Sequence, residues 1–289
     1  MPLNKILHLT SGDCAGGLLA RSGLEGEIFV WHDILYDGPR RPGWPDEAIL
    51  AARARFIEAQ TGRGLSREKI LKSFRCQYAR LRTEAGYGRI VLWFDACLFD
   101  QSMLVHILVC LLELNRTENV ELLCLDAFPG IVPFHGLGQL TAAQLLSVYG
   151  RRRPVTEAQF LFAKRVDAAF ALQDKQAFAE LAAGVGAPLP WVPAAVARWL
   201  QEQPDGADGL GRLERLALEA VRNGKNRPRE IFAAAAAGDT PPQFWGDTTL
   251  WAKINSLADK ELVLIEGPSP RLPQWEAGLD LDRFQITPA

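Results

Sequence analysis

The hydrophobic pattern of the first 150 residues alternates between short apolar runs and longer amphipathic segments. β-favouring apolar runs at residues 5–10, 27–31, 89–94 and 120–125 predict four strands. Helical spacing of apolar residues predicts the intervening helices at 13–21, 46–61, 66–84 and 100–114, and Thr141 begins another. Strands that alternate with helices indicate a parallel sheet with right-handed crossovers. We therefore predict a Rossmann-like α/β domain over roughly residues 1–150.

After this domain the pattern predicts helices and no further strand until residue 261. Helices are predicted at 156–172, 174–183 and 193–202, and the Gly- and Pro-containing stretch 203–211 is the best linker. Three more helices, at 213–222, 228–237 and 248–259, precede short strands at 261–265 and 284–286. Three helices followed by a β-ribbon are typical of a winged helix. We predict a helical connecting segment over 151–205 and a small winged-helix-like domain over 206–289.

Composition narrows the class of protein. The 289 residues are 48% hydrophobic and 23% charged, with a formal net charge of -2, as in soluble globular proteins without a basic field for nucleic acid. We predict no signal peptide and no membrane segment, because the apolar runs are too short. The five cysteines form no C-x-x-C pair, so we expect reduced thiols, no zinc and a cytoplasmic location.

The first candidate site is the turn Ser11-Gly12-Asp13, which lies between the first strand and the first helix. Glycines at such a turn let backbone N–H groups and the helix dipole hold a phosphate. The spacing of Gly12, Gly16 and Gly17 matches neither a dinucleotide fingerprint nor a Walker loop. A tight turn with Ser11 or Asp13 capping the helix is the alternative.

A carboxylate follows each of the four predicted strands: Asp13, Asp33, Asp95 and Asp126. Parallel strands would bring these side chains to one edge of the sheet. Asp33 lies where a dinucleotide fold binds a ribose hydroxyl, whereas Asp95 and Asp126 are candidate Mg²⁺ ligands. Mutual repulsion would raise carboxyl pKa values, which makes Asp13, Asp33 and Asp95 candidate catalytic bases. Helix N-capping explains the same aspartates without any chemistry.

The loop over residues 31–45 is long and rich in proline, glycine and aromatic residues. Trp31, Tyr36 and Trp44 could stack on a ring, or could instead fold onto the domain. Arg40 and Arg41 could neutralise a phosphate near the acidic edge. His32 could also pair with Cys14 as a nucleophile. The predicted ligand-binding residues are Ser11, Gly12, Trp31, His32, Asp37, Gly38 and Arg40.

Two segments of this sequence resemble the N-terminal signature of a bacterial family called domain of unknown function 1835. They read LHLTSGD at residues 7–13 and WHDILYDGP at residues 31–39. GDTTLW at residues 246–251 is similar to a module that often accompanies this family. The resemblance implies a bacterial cytosolic protein with an α/β domain, and it attaches no activity to that domain.

Two hypotheses about function follow. In the first, the α/β domain binds a nucleotide or phosphorylated small molecule, with Mg²⁺ as a candidate cofactor; whether it is an enzyme stays open. In the second, the C-terminal module binds a partner. Residues 207–289 carry ten Lys or Arg against twelve Asp or Glu, and the would-be recognition helix has one cation, Lys253. This charge favours a protein partner, a second copy of the chain included, over DNA. Trp245 and Trp251 are candidate interface anchors.

Overall fold

The computed structural model describes residues 5–82, 87–204, 206–275 and 280–289. Its strands are β1 (Lys5–Ser11), β2 (Glu27–Trp31), β3 (Tyr87–Asp95), β4 (Val120–Leu125), β5 (Arg153–Pro154), β6 (Val263–Glu266) and β7 (Gln285–Pro288). The main sheet has the order β2-β1-β3-β4-β5, in which β1 to β4 run parallel and β5 pairs antiparallel with β4. The predicted α/β class with a mostly parallel sheet is confirmed.

Helices cover both faces of this sheet. The helices are α1 (Asp13–Ala20), α2 (Glu47–Gln60), α3 (Arg67–Arg82), α4 (Leu98–Glu113), α5 (Ala142–Val148), α6 (Glu157–Leu172), α7 (Lys175–Ala182), α8 (Val192–Gln201), α9 (Arg212–Arg222), α10 (Pro228–Gly238) and α11 (Asp247–Asp259). Each predicted helix is present, and its ends differ by a few residues. In the part of the chain that the structure describes, no helix is long and apolar enough to cross a bilayer.

Strand β3 explains why the sheet is covered on both faces. Ile90, Leu92 and Phe94 pack into one hydrophobic cluster with α2, α3 and α4, while Val91 and Trp93 pack into another with α1 and α5. Successive side chains of a strand point to opposite faces, so a continuous apolar run must be buried on both. The short β5 escaped prediction because two residues, one of them Pro154, carry no periodic signal.

The C-terminal elements follow the predicted order of three helices and two short strands. β6 and β7 pair antiparallel, and α9 packs against both α10 and α11. A single hydrophobic cluster runs from Leu7 in β1 to Ile286 in β7. The sequence boundaries near residues 150 and 205 therefore lie within one packed core.

Candidate functional site

The strand order locates a crevice at the carboxyl edge of the sheet. β1 lies between β2 and β3, so the connections after β1 and β3 leave in opposite directions. Open α/β sheets bind ligands at such a point, outside the carboxyl ends of the strands. The turn after β1 and the end of β3 are the segments that carry Gly12 and Asp95.

The glycine turn leaves the start of α1 without a side-chain cap. Gly12 is the N-cap residue, with φ of 68°, and no atom lies within 4 Å of a Cβ placed there. Neither neighbour caps the helix, since Ser11 and Asp13 both bond to other side chains. No described side chain therefore caps the first-turn N–H groups of α1, which is the arrangement that anion binding at a helix N-terminus uses.

Asp13 pairs with His32 across the ends of β1 and β2. Nε2 of His32 lies 2.8 Å from Asp13 Oδ1, and the two side chains are 50% and 86% exposed. Gln77 of α3 holds the His32 backbone from both sides: its Oε1 accepts the His32 N–H at 2.6 Å, and its amide donates to the His32 carbonyl at 3.2 Å. Asp13, and not Cys14, is thus the partner of His32.

Asp33 is committed to a buried ion pair. Its carboxylate accepts hydrogen bonds from Arg53 of α2, with Nε of Arg53 3.0 Å from Oδ2, and both side chains are almost completely buried. Arg53 also donates to the carbonyls of Ile34, Asp37 and Pro39. These bonds stabilise the loop after β2 from its buried side. Because Arg53 occupies the Asp33 carboxylate, the prediction that Asp33 is a catalytic or ribose-binding acid is corrected.

Asp95 belongs to a buried hydrogen-bond network that includes a second carboxylate, Asp100. Asp100 Oδ2 accepts the Asp95 N–H at 2.7 Å, and Asp100 Oδ1 accepts a hydrogen bond from the Ser11 hydroxyl. Asp95 in turn accepts the N–H groups of Cys97 at 2.9 Å and Leu137 at 3.4 Å. The network ties together the ends of β1 and β3, the start of α4 and the loop before α5.

This network does not support the predicted magnesium site. Asp95, Cys97 and Asp100 form the one group of potential metal ligands found among the described residues, and Asp126 lies outside it on the surface. Each of the four carboxylate oxygens of Asp95 and Asp100 already accepts a protein hydrogen bond. Asp126 lies outside this group, so the predicted pairing of Asp95 with Asp126 as magnesium ligands is corrected, and the hydrogen bonds of Asp95 give it a structural role.

Burial raises the pKa of Asp95, and burial together with the neighbouring Asp95 raises the pKa of Asp100 well above its ordinary value. A raised pKa in the folded state means that the folded protein binds the proton more tightly than the unfolded chain does. Stability is therefore lost as pH rises from the unfolded value, about 3.9, through the raised one. Ionisation of the pair costs stability at neutral pH.

Asp100→Asn should raise the free energy of unfolding at pH 8 by on the order of 1 kcal/mol, the equivalent of about one pKa unit. The asparagine can accept from the Asp95 N–H and donate to Ser11, and it cannot ionise. Urea unfolding at pH 8 and pH 4 measures the difference, which should disappear at pH 4. Asp126→Asn, on the exposed surface, is the control. A loss of stability at pH 8 would contradict the raised pKa.

Arg40 is buried and is not available to a phosphate. Its guanidinium forms an ion pair with Asp167 of α6, which also accepts the Gly43 N–H at 2.8 Å. His106 completes the group, with Nδ1 3.1 Å from Asp167 and Nε2 2.7 Å from the Tyr78 hydroxyl. Burial opposes ionisation of Asp167, but Arg40 and His106 outweigh it and lower its pKa. The prediction of Arg40 as an anion ligand is therefore corrected.

The remaining predicted residues lie in or beside the loop after β2. Trp31 is completely buried and meets Tyr78 edge to face, 5.1 Å between ring centroids. Asp37 is exposed, and its carboxylate accepts the Gly38 N–H at 2.7 Å. Gly38 has φ of 81°, and a Cβ there would clash with Phe56. Trp31 and Gly38 therefore shape the loop, whereas the Asp37 carboxylate faces solvent.

A cavity of about 500 Å³ opens beside Gly12, Asp13 and His32. Its volume falls in the range of ligand pockets, about 300–1,000 Å³. Lys69 and Ser73 of α3 add polar groups at its edge, and most of the remaining wall is apolar. The apolar lining comes from Trp31, Ile34, Tyr36, Ile57, Leu65, Ile70, Phe74, Phe99, Phe244 and Trp275.

The C-terminal elements close the other side of this cavity. Gly246 lines the cavity and is the N-cap residue of α11, which therefore has no side-chain cap. Thr248 and Thr249 follow it in the wall. A second cavity of about 520 Å³ adjoins the first. The two share the lining residues Ile34, Tyr36, Thr61, Phe244, Thr248, Thr249 and Trp275, so they form a continuous cleft.

Lys69 supplies a cation at the edge of the first cavity. No described residue forms an ion pair with it, and it lies on the same side of the molecule as the uncapped start of α1. Asp13 adds a negative charge at the same edge, and its Oδ1 lies within hydrogen-bond distance of His32 Nε2. The cleft thus combines an apolar interior with an edge where N–H groups and a cation can bind an anion.

Several residues of this region escaped sequence-based prediction, although some left a signal. Arg53 shares the buried face of α2 with Leu50 and Ile57, and Gln77 shares the buried face of α3 with Phe74. A polar side chain in an apolar helical stripe must find a partner, so its spacing alone marks it for attention. Lys69 and Trp275 carry no such signal, because only the tertiary fold brings them to the cavity.

Comparison with known proteins adds no relationship: no protein-family model matches this chain, and no curated protein sequence matches it either.

Proposed function

We propose that this protein binds a nucleotide or a similar phosphorylated small molecule in the cleft at the carboxyl edge of its sheet. The observation that carries the proposal is the convergence of Gly12, His32 and Lys69 on one apolar-walled cavity of about 500 Å³. A phosphate would bind the uncapped N–H groups of α1 and the Lys69 ammonium. A ring would lie against the aromatic wall that includes Phe244 and Trp275.

The sheet order β2-β1-β3-β4 supports the Rossmann-like interpretation of the N-terminal part, and the resemblance to domain of unknown function 1835 stays a prediction beside it. Mg²⁺ would not enter through Asp95 and Asp126, for the reasons above. Mg²⁺ could instead enter the cleft already bound to the ligand phosphate. The experiment below tests this by comparing each nucleotide with and without Mg²⁺.

The winged-helix-like interpretation leads to the alternative of a partner-binding module, and the position of α11 weighs against it. Thr248, Thr249, Ala252 and Lys253 of α11 line the cleft. A recognition helix has to present such a face to its partner. Because this face lines the cleft, ligand binding accounts for more of the observations than binding of DNA or protein does.

Thermal unfolding in the presence of AMP, ADP, ATP and NAD, each with and without Mg²⁺, tests the proposal. A ligand at about 100 times its Kd stabilises the folded state by about 2.7 kcal/mol, which shifts the midpoint by several degrees. Lys69→Gln should weaken binding about fivefold, the upper range for a single exposed ion pair. Lys72→Gln is the matched control, because Lys72 is an exposed residue of the same helix outside the cavity lining.

An absence of any shift with all four nucleotides would overturn the proposal. Salt-sensitive binding of duplex DNA under the same conditions would favour the alternative. Equal weakening by the Lys69 and Lys72 variants would place the ligand elsewhere on the molecule.

A further inference from the structure

We propose that the cleft is an active site in which His32 acts as a general base, positioned by Asp13, to hydrolyse the terminal phosphoryl bond of a bound nucleotide. The inference rests on the proposed function, since it requires a phosphorylated ligand in the first cavity. It adds a reaction and assigns one catalytic residue and one positioning residue.

The hydrogen bond to Asp13 fixes the proton of the imidazole. A carboxylate can only accept, so Nε2 of His32 carries the proton that it donates to Asp13 Oδ1 over 2.8 Å. In the neutral ring the other nitrogen, Nδ1, is then the basic one. No described residue forms a hydrogen bond with Nδ1. The ring therefore presents an unpartnered base, while the carboxylate would stabilise the imidazolium once a proton arrives.

Buried neighbours hold the backbone on both sides of His32. Gln77 is 2% exposed and bonds both the N–H and the carbonyl of His32. On either side, Trp31 is fully buried and Asp33 is locked by Arg53. Of these three consecutive residues, His32 alone directs an exposed side chain to the cavity edge. Such preorganisation keeps a catalytic group in register with its substrate.

The neighbours of His32 supply the other requirements of phosphoryl transfer. The Gly12 turn and Lys69 border the same cavity, and both can stabilise charge on the transferred group. In the step, Nδ1 takes a proton from water as the water oxygen bonds to phosphorus. The bond from phosphorus to the leaving oxygen breaks, and the imidazolium returns the proton to that oxygen. Water is consumed, and inorganic phosphate and the dephosphorylated ligand are released.

Release of inorganic phosphate from AMP, ADP and ATP, with and without Mg²⁺, tests the inference. The parent protein should release phosphate from at least one of them. His32→Asn should lower kcat by about 100-fold or more, the usual contribution of a general base, with KM changed less than about twofold. His135→Asn is the control, because His135 lies outside the cavity lining and should leave kcat unchanged.

Asp13→Asn separates positioning from folding. It should lower kcat about tenfold or more at nearly constant KM, and it should change the ¹⁵N shifts of the His32 ring by releasing the Nε2 tautomer. A purely structural role would lower the unfolding temperature and leave the kcat of the folded protein unchanged.

The possible outcomes distinguish this inference from the proposed function. Nucleotide-induced stabilisation without phosphate release would overturn the reaction and leave ligand binding intact. Phosphate release that survives His32→Asn would overturn the role of His32. Absence of both stabilisation and release would overturn the two proposals together.

Discussion

Replacing Arg53 with methionine should lower the free energy of unfolding by about 3–5 kcal/mol, the usual loss when one partner of a buried ion pair is removed. The variant leaves the Asp33 carboxylate buried, with the Ile34 N–H as its one remaining donor among the described residues. It also removes the hydrogen bonds from Arg53 to three carbonyls of the loop after β2. Urea denaturation at pH 7 measures the loss.

Two further variants identify the cause. Arg55→Met changes an exposed arginine of the same helix and should leave stability unchanged. Arg53→Met combined with Asp33→Asn removes the stranded charge, so the double variant should be more stable than Arg53→Met alone. If the double variant were the less stable of the two, the buried charge would not be the source of the loss.

Replacing Arg40 with methionine should lower the free energy of unfolding by about 3 kcal/mol, because Asp167 would lose its guanidinium partner inside the protein. The loss should be smaller than for Arg53, since His106 and the Gly43 N–H still bond to Asp167. Affinity for AMP, measured by calorimetry below the unfolding transition, should stay unchanged because Arg40 is remote from the cavity lining.

Arg41→Met provides the matched control for this second experiment. Arg41 is adjacent in sequence but half-exposed, and it pairs with Asp46 at the surface. No measurable change in stability is expected from it. A weaker affinity for AMP in the Arg40 variant, at unchanged stability, would restore Arg40 as a phosphate ligand and contradict the burial argument.

The fold was largely predictable because its elements depend on local patterns. Residues 89–94 form a continuous apolar run, and the structure buries both faces of that strand. Thr141 and Thr156 are helix N-caps with capping boxes, as residues of this type favour. The contiguity of the core was not predictable, since the packing of α4 against α6 and α8 depends on tertiary contacts rather than on spacing.

The candidate site was predictable in location and only partly in membership. Gly12, Asp13 and His32 meet at one cavity because the ends of parallel neighbouring strands share an edge. Asp33 and Arg40 are of residue types that often bind ligands. Each instead pairs with a buried side chain, Arg53 at 20 positions and Asp167 at 127 positions away in sequence. A motif shows which chemistry a residue can supply, whereas only the fold decides whether another side chain already uses it.

The walls of the cleft come from distant parts of the chain, with Gly12 to Phe74 on one side and Phe244 to Trp275 on the other. During synthesis the first wall emerges long before the second. A ribosome adds about 5–20 residues per second, so the two are separated by roughly ten seconds or more. A nascent chain can therefore complete its parallel sheet while still lacking a closed pocket. The proposed ligand binding would therefore be acquired last, and it would report on a fully synthesised and folded molecule.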